Sequence, residues 1–242
     1  MSERISISQR LHENLGEIIS EMQPGEKLMS EPKLARRLGV SRATLREAMR
    51  TFETQGIIYR KQGSGTYVLP ASQVIETGLE VLESIETLAQ RSGFEVSMGM
   101  MKINHHPCDD REAAALRIPK GEEVIQVSRL IEAEGRPVAY LIDTLIKGIV
   151  LPEELDSRFT GSVLDVILRK GTPPLSSSRC EINAVTASVD IAKAFGIQRG
   201  DVLLCFTAWL YTTSGQIIDY SYSYFLPGFF RFHVVRRVGK QP

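Results

Sequence analysis

Arg42, Arg46 and Arg50 recur at i, i+4 and i+8, so a helix over Ser41–Gly56 would carry them as one stripe. Like charges at that spacing repel by roughly 0.2–0.5 kcal/mol per pair. An anion lying against the stripe offsets the cost, and the phosphate rail of duplex DNA is such an anion. Ser41, Arg42 and Thr44 fall in the first turn, the part of a recognition helix that reaches base edges. Arginine there can bond guanine O6 and N7 with both arms of its fork, while Ser and Thr can bond bases or phosphates. The charge distribution agrees. The chain holds 29 Lys+Arg and 29 Asp+Glu, which excludes a general nucleic-acid coat. Residues 30–61 nevertheless hold 8 basic and 3 acidic side chains, and Arg60 and Lys61 extend this island beyond the helix. The alternative is an ordinary solvated face, which Glu47 and Glu53 favour.

The flanking pattern supplies elements able to position these groups. Leu45, Ala48, Met49 and Phe52 follow the i, i+3, i+4, i+7 rule and would pack inward. Upstream, Ile5, Leu11, Leu15, Ile18, Ile19 and Met22 predict an amphipathic helix of about four turns, broken by Pro24-Gly25. Ser30 then caps a second helix with Glu31 and Pro32 in its first turn, running through Leu34, Ala35 and Leu38 to Gly39. Only Val40 separates that glycine from Ser41, a second capping residue. Two short helices meeting across a glycine turn are a helix-turn-helix. After Gly56, Ile57–Lys61 and Thr66–Leu69 read as two strands joined by Gln62-Gly63-Ser64-Gly65. Such a hairpin is a wing whose glycines, Gly63 and Gly65, let it approach DNA closely. No helix and no Lys-Ser/Thr follow the Gly-x-Gly, so it is not a phosphate loop.

The run PGEKLMSEPKLARRLGVSRATLREAMRTFETQGIIYRKQGSGTYV resembles the DNA-binding domain of the GntR family of bacterial transcription regulators, over residues 8–69. The resemblance implies DNA contacts from Arg42, Thr44, Arg46 and Gly63. Many members carry arginine after the Ser-Glu pair. Pro32 stands there instead, and Lys33 would partly replace the missing contact.

Residues 70–78 read as a linker and about 79–92 as a helix. Beyond lies an internal repeat: Ala115, Ile118 and Gly121 match Ala194, Ile197 and Gly200 at an offset of 79, and Gly135 and Tyr140 match Gly215 and Tyr220 at 80. Each copy reads as helix, glycine turn, strand, turn, strand. Two copies predict an α+β domain, a mostly antiparallel sheet with packed helices. The expected layout is a winged helix-turn-helix over 1–69, a linker over 70–78 and a second domain over 79–242.

That second domain resembles the UTRA effector-binding domain of the HutC subfamily, with a chorismate-lyase-like fold. The resemblance implies a homodimer with one small-molecule pocket per subunit, whose ligand alters the spacing or mobility of the DNA-binding domains. Arg129 matches the first arginine of an anion-holding pair, but the second place is Ile131. The acid of the return strand falls on Leu141, and the phosphate-cradling helix start falls on Ser84-Ile85-Glu86. Asp219 fits an acidic position, while Tyr224 is followed by apolar Phe225–Phe230 rather than an arginine-bearing segment. Together these imply an effector that is not a sugar phosphate but less polar, neutral or partly cationic. The phenylalanine run either lines the pocket or forms core or dimer interface. Arg179 and Glu181 alternate on a probable strand and share a face, as pocket lining or as a surface ion pair.

Other chemistry finds little support. His105, His106 and Cys108 lack a second ligand cluster at zinc spacing, and a loop without metal is expected there. Three scattered cysteines suggest reduced thiols. MSERISISQR has no signal-peptide core and no stretch is long enough to span a membrane, so a cytoplasmic protein is expected. No cofactor motif and no G-x-S-x-G elbow occur. An enzyme on the lyase-like scaffold, with Arg129 anchoring a carboxylate, and a ligand-free architectural DNA binder are the competing readings. The first lacks a proton-transfer set; the second leaves a folded module of about 160 residues without a role.

Overall fold

The structure, a computed structural model, describes residues 7–54, 57–61, 64–69, 75–91, 93, 95–133, 135–155, 159 and 161–236. The chain divides into two compact units, the first comprising residues up to 74 with 227–229, the second 75–226 and the residues from 230.

In the first unit, helices α1 (Ile7–Ser20), α2 (Glu31–Arg37) and α3 (Arg42–Thr54) precede a hairpin of β1 (Ile58–Lys61) and β2 (Gly65–Val68). Leu11, Leu15 and Ile19 of α1 stand four apart and all are buried. Leu15 and Ile19 meet Leu34 of α2 and Leu45, Met49 and Phe52 of α3 in one core, closed by Ile58 and Val68. Each such side chain, fully buried, stabilises by roughly 1.5–3 kcal/mol. The turn between α2 and α3 depends on Gly39, whose φ of 67° lies in the left-handed region. Behind it, Val40 N–H returns to the Ala35 carbonyl at 3.0 Å. Ser41 Oγ then caps α3 by accepting Thr44 N–H at 3.1 Å. Ser30 occupies the cap position of α2 but makes no side-chain capping bond. The Gly25–Leu28 stretch lies along β2, with Gly25 N–H donating to Val68 and Leu28 N–H to Thr66, both at 2.8 Å.

The second unit opens with β3 (Ile75–Gly78) and α4 (Ile85–Arg91). Its centre is a six-stranded sheet, antiparallel throughout, in the order β4-β5-β6-β9-β8-β7. These strands are β4 (Val96–Pro107), β5 (Glu123–Ala133), β6 (Arg136–Ile146), β7 (Leu175–Thr186), β8 (Val202–Thr212) and β9 (Ile217–Phe225). Helix α5 (Asp110–Leu116) precedes β5, α6 (Val163–Lys170) precedes β7, and α7 (Val189–Phe195) precedes β8. A final strand, β10 (Phe230–His233), pairs in parallel with β3. The mostly antiparallel sheet with packed helices is as the sequence predicts. So is the repeat: α5 and α7 start at 110 and 189, β5 and β8 at 123 and 202, each pair 79 apart.

Two expectations are corrected. Residues 75–78, read as linker, form a strand because Phe230–His233 offers a parallel partner across a long separation in sequence. The helix expected over 79–92 is confined to Ile85–Arg91, since Ser84 caps it by accepting Thr87 N–H at 3.0 Å.

The two faces of the sheet differ. Helix α6 covers part of the inner face, where Val163, Val166 and Ile167 pack on Ile125, Val127 and Leu145. Helix α5 covers the outer face, where Ala113 and Leu116 meet Val124, Ile217 and Tyr220. Helix α7 reaches the outer face through Phe195, edge-on to Tyr140 at 6.5 Å. Leu210 pairs with Asp219 but Tyr211 pairs with Ile217, so β9 carries one extra residue, Ile218. At this bulge the alternation breaks: Ile217 packs on the outer face, whereas Ile218 and Asp219 both turn inward, Asp219 in step with Ser221, Ser223 and Phe225.

Among the described residues no helix is long and apolar enough to cross a membrane.

Candidate functional site

Two sets of residues could carry chemistry, one in each unit. On α3, burial of Leu45 and Met49 forces the intervening side chains outward. Arg42 and Arg46 are 61% and 54% exposed. Their neighbour is Glu31 of α2, which the sequence reading assigned only to a helix start. Glu31 Oε2 accepts Arg46 Nε at 2.6 Å and lies 3.9 Å from Arg42 Nη2, while Oε1 lies 3.2 Å from Arg60 Nη2 on β1. One carboxylate thus gathers two arginines of the helix and one of the hairpin. This also answers the repulsion expected along the stripe, because part of the counter-charge is internal. Arg50 lies 3.4 Å from Glu47 and is less exposed.

Ser41, Thr44 and Lys33 are exposed, with Ser41 Oγ and Thr44 Oγ1 2.8 Å apart. Lys61 ends β1 opposite Gly65, which opens β2. Gly63 lies outside the described residues. The surface is therefore a ridge of donors, mostly cationic, with the carboxylate of Glu31 set among the arginines and Glu47 beside Arg50.

In the second unit, a cavity of about 670 Å³ opens on the inner face of the sheet, within the 300–1,000 Å³ common for small-molecule sites. Arg129 lies at its base, 4% exposed. Its Nε donates to the Gly161 carbonyl and its Nη1 to Asp143 Oδ2. Asp143 is the acid on the return strand, two residues beyond Leu141, where the resemblance placed it. Leu141 and Asp143 both line the cavity. A lone acid in the apolar strand RPVAYLIDTLI was the available signal, since it shares the parity of Leu141 and Leu145.

Glu86 and Asp219 complete the polar end. Glu86 Oε1 and Asp219 Oδ1 are buried side-chain atoms without a hydrogen-bond partner. Burial pushes the Glu86 carboxyl above its usual range; Arg129 pulls it back, and Asp165 and Asp143 raise it further. Burial also holds Asp219 well above the usual aspartate range, with Asp143 adding to the rise and Arg129 and a Ser221 hydrogen bond opposing it. A Cβ at Gly161 would stand 2.8 Å from Glu86 Oε1, so the glycine, at φ 109°, is what admits that carboxylate. Ser84 also lines the cavity, yet its hydroxyl is committed, donating to Asp165 Oδ2 at 2.8 Å. It is not a free phosphate cradle.

The far wall is aromatic. Phe206, Phe225 and Phe232 line it, with ring centroids 4.5–5.1 Å apart. The start of the phenylalanine run therefore lines the cavity, while Phe230 stacks behind on Phe232. Ser221 and Ser223 of β9 stand on the same face.

Four expected pocket residues lie elsewhere. Ile131 shares the face of Arg129 but is 1% exposed and sealed in contact range of Gly161 rather than lining the cavity. Arg179 and Glu181 alternate with the lining residues Ser178, Cys180 and Ile182, so the pleat turns them away. They form the surface ion pair, 2.6 Å apart, with Arg179 over Trp209. Tyr224 falls out of step with Ser223 and Phe225 and joins the outer ladder with Tyr222 and Tyr220. Burial there pushes the Tyr224 phenol up to about 12.

His105 and His106 belong to β4 rather than to a loop. His106 Nε2 lies 3.0 Å from Glu112, and Cys108 Sγ donates to the Pro119 carbonyl at 3.3 Å. Among the described residues no group of three His, Cys, Asp or Glu is placed to hold a metal.

Comparison with known proteins gives matches to both units. Residues 7–68 match the bacterial regulatory proteins of the gntR family, and residues 91–231 match the UTRA domain. The chain is 28% identical over 210 residues to the HTH-type transcriptional repressor NagR of Bacillus subtilis (strain 168), covering 84% of this chain and 82% of that one. It is 24% identical over 181 residues to the histidine utilization repressor of Pseudomonas putida, covering 75% and 71%. The crystal structure of PhnF from Mycobacterium smegmatis superposes with a TM-score of 0.63 at 19% identity, covering 95% of this chain and 100% of that one.

Proposed function

As the chain belongs to the gntR family of bacterial regulatory proteins, in its UTRA-bearing HutC branch, we propose that this transcriptional regulator is a ligand-responsive repressor. It acts in the cytoplasm as a homodimer whose two α3 helices enter successive major grooves of a near-palindromic operator. Residues 1–69 bind DNA, 70–74 connect, and 75–242 hold the effector and the dimer contact. Arg42, Arg46 and Thr44 read bases. Ser41, Lys33, Arg50, Arg60, Lys61 and the wing glycines Gly63 and Gly65 meet the backbone. A small molecule that is not a sugar phosphate occupies the cavity beside Arg129 and changes operator affinity.

The observation that carries this reading is the exposed Arg42–Arg46 ridge, held by Glu31 over a fully packed helical core. NagR and the histidine utilization repressors support the direction of regulation by their names. The test pairs operator binding by fluorescence anisotropy with thermal shifts against a metabolite panel. The reading requires a metabolite that both stabilises the protein and changes operator affinity, returned chemically unchanged. It also requires Ala208→Trp, which fills the cavity wall, to abolish that response. Consumption of the metabolite, or a response undiminished in Ala208→Trp, overturns it.

A further inference from the structure

The cavity has a sign. Its lining carries the carboxylates Glu80, Glu83, Glu86, Asp143 and Asp219 against one guanidinium, Arg129. That guanidinium is not available to an anion in the usual forked manner, because its Nε serves Gly161 and its Nη1 serves Asp143. Two carboxylate oxygens remain without a donor: Glu86 Oε1 and Asp219 Oδ1. Asp219 is 6% exposed, on the inner face in step with Ser221, Ser223 and Phe225. A buried acceptor left unpaired is costly, and the cost disappears if a ligand brings the donor. An anionic ligand would bring repulsion instead. The opposite wall, with Phe206, Phe225 and Phe232, offers rings and no charge.

We infer that the effector is a small organic cation, whose ammonium or guanidinium group donates to Glu86 and Asp219 while an apolar body lies against the phenylalanine wall. Ser221 and Ser223, on the same face as Asp219, take further donors from the charged group. The aromatic faces add attraction for positive charge. The inference rests on the cavity being the effector site, and it narrows the chemical class. Burial disfavours the charged form of both carboxylates, and an incoming cation opposes that penalty.

The test uses the full-length chain with three probes of one shape: 2-phenylethylamine, 2-phenylethanol and 3-phenylpropionate, with glucosamine 6-phosphate as a sugar-phosphate control. Thermal shift ranks them, and calorimetry measures their affinities. The amine is expected to stabilise, with the alcohol weaker by about tenfold or more and the carboxylate without effect. Glu86→Gln and Asp219→Asn each weaken the amine by about tenfold or more, and neither improves it. Both variants keep the shape of the side chain, so a cooperative melt verifies the fold independently.

Absence of stabilisation by the amine, or an amine response equal in Glu86→Gln and Asp219→Asn, overturns the cation assignment. Stabilisation by glucosamine 6-phosphate that Ala208→Trp abolishes overturns it while leaving the effector site standing. A stabilising amine whose effect survives Ala208→Trp overturns both.

Discussion

Arg46 donates its Nε to Glu31 Oε2 at 2.6 Å, which ties the middle of the exposed helix face to the start of the preceding helix. Arg60 reaches the other oxygen of the same carboxylate from the hairpin. Three exposed donors are thus pre-set by one acid, and DNA binding in the proposed mode would bring bases or phosphates into competition with it.

Replacing Arg46 or Arg42 by Ala is expected to weaken operator binding by about 1–3 kcal/mol each, tenfold to more than a hundredfold. Neither change should move the melting temperature materially, since both side chains are more than half exposed. Anisotropy titrations at one fixed salt concentration measure this, and operator affinity untouched by both substitutions would remove the recognition role.

Glu31→Gln acts in the opposite sense. Without the carboxylate, three arginines lose their internal counter-charge and become available to phosphate. Non-specific affinity should tighten by about tenfold, the slope of log affinity against log salt should steepen by about 0.9, and discrimination for the operator should shrink. A salt slope identical to that of the parent chain would mean that Glu31 does not compete with DNA.

Stability should depend on pH through Glu86 and Asp219. Their ordinary values are 4.5 and 3.8, and both are raised in the folded chain. As pH rises past the ordinary values, the unfolded chain releases these protons while the folded chain retains them. Their stabilising contribution is therefore present at low pH and is lost until pH passes the raised values. The groups facing them, Arg129, Asp143 and Asp165, set how far that window extends. Asp219→Asn should flatten the decline, since a neutral amide carries no charge for burial to disfavour. Melting curves of parent and variant across the pH range decide it; a variant whose melting temperature falls with pH as steeply as its parent's contradicts the argument.

Arg129 should be indispensable to the second unit. Arg129→Met leaves Asp143 buried without its partner and should destabilise by about 3–5 kcal/mol. The double change Arg129→Met with Asp143→Leu should recover most of the loss, because the stranded charge goes too. Trp209, the sole tryptophan, sits on the opposite face of the same sheet and reports urea unfolding of this unit. Equal losses in the single and double variants would show that packing, rather than the stranded acid, dominates.

How far the sequence could be read depended on periodicity. The core face of α3 and the glycine turn before it were legible because 3.6-residue spacing sorts Leu45 and Met49 from Arg42 and Arg46 without outside help. The role of Glu31 was not, since nothing local relates it to arginines 11, 15 and 29 residues away. In the second unit, Arg129, Glu86 and Asp219 lie where the resemblance placed them, on the cavity. Tyr224, Arg179 and Glu181 do not, because strand parity decides inside from outside: Tyr224 alternates with Ser223 and Phe225, and an irregularity between Leu175 and Ser177 sets the parity of Arg179 and Glu181. Asp143 was missed: Leu141 stood in the acid's place and the acid was read as replaced, although the residue two positions on, with the same parity, supplies it.

Ile218 has a wider consequence. It stands unpaired between Ile217, opposite Tyr211, and Asp219, opposite Leu210, so both partners of the ladder are already in place on either side of it. Losing Ile218 would close the bulge and leave the wall of Asp219, Ser221, Ser223 and Phe225 facing inward. Loss of one residue within 220–224, where no bulge absorbs it, would instead invert one side of the strand and break that wall.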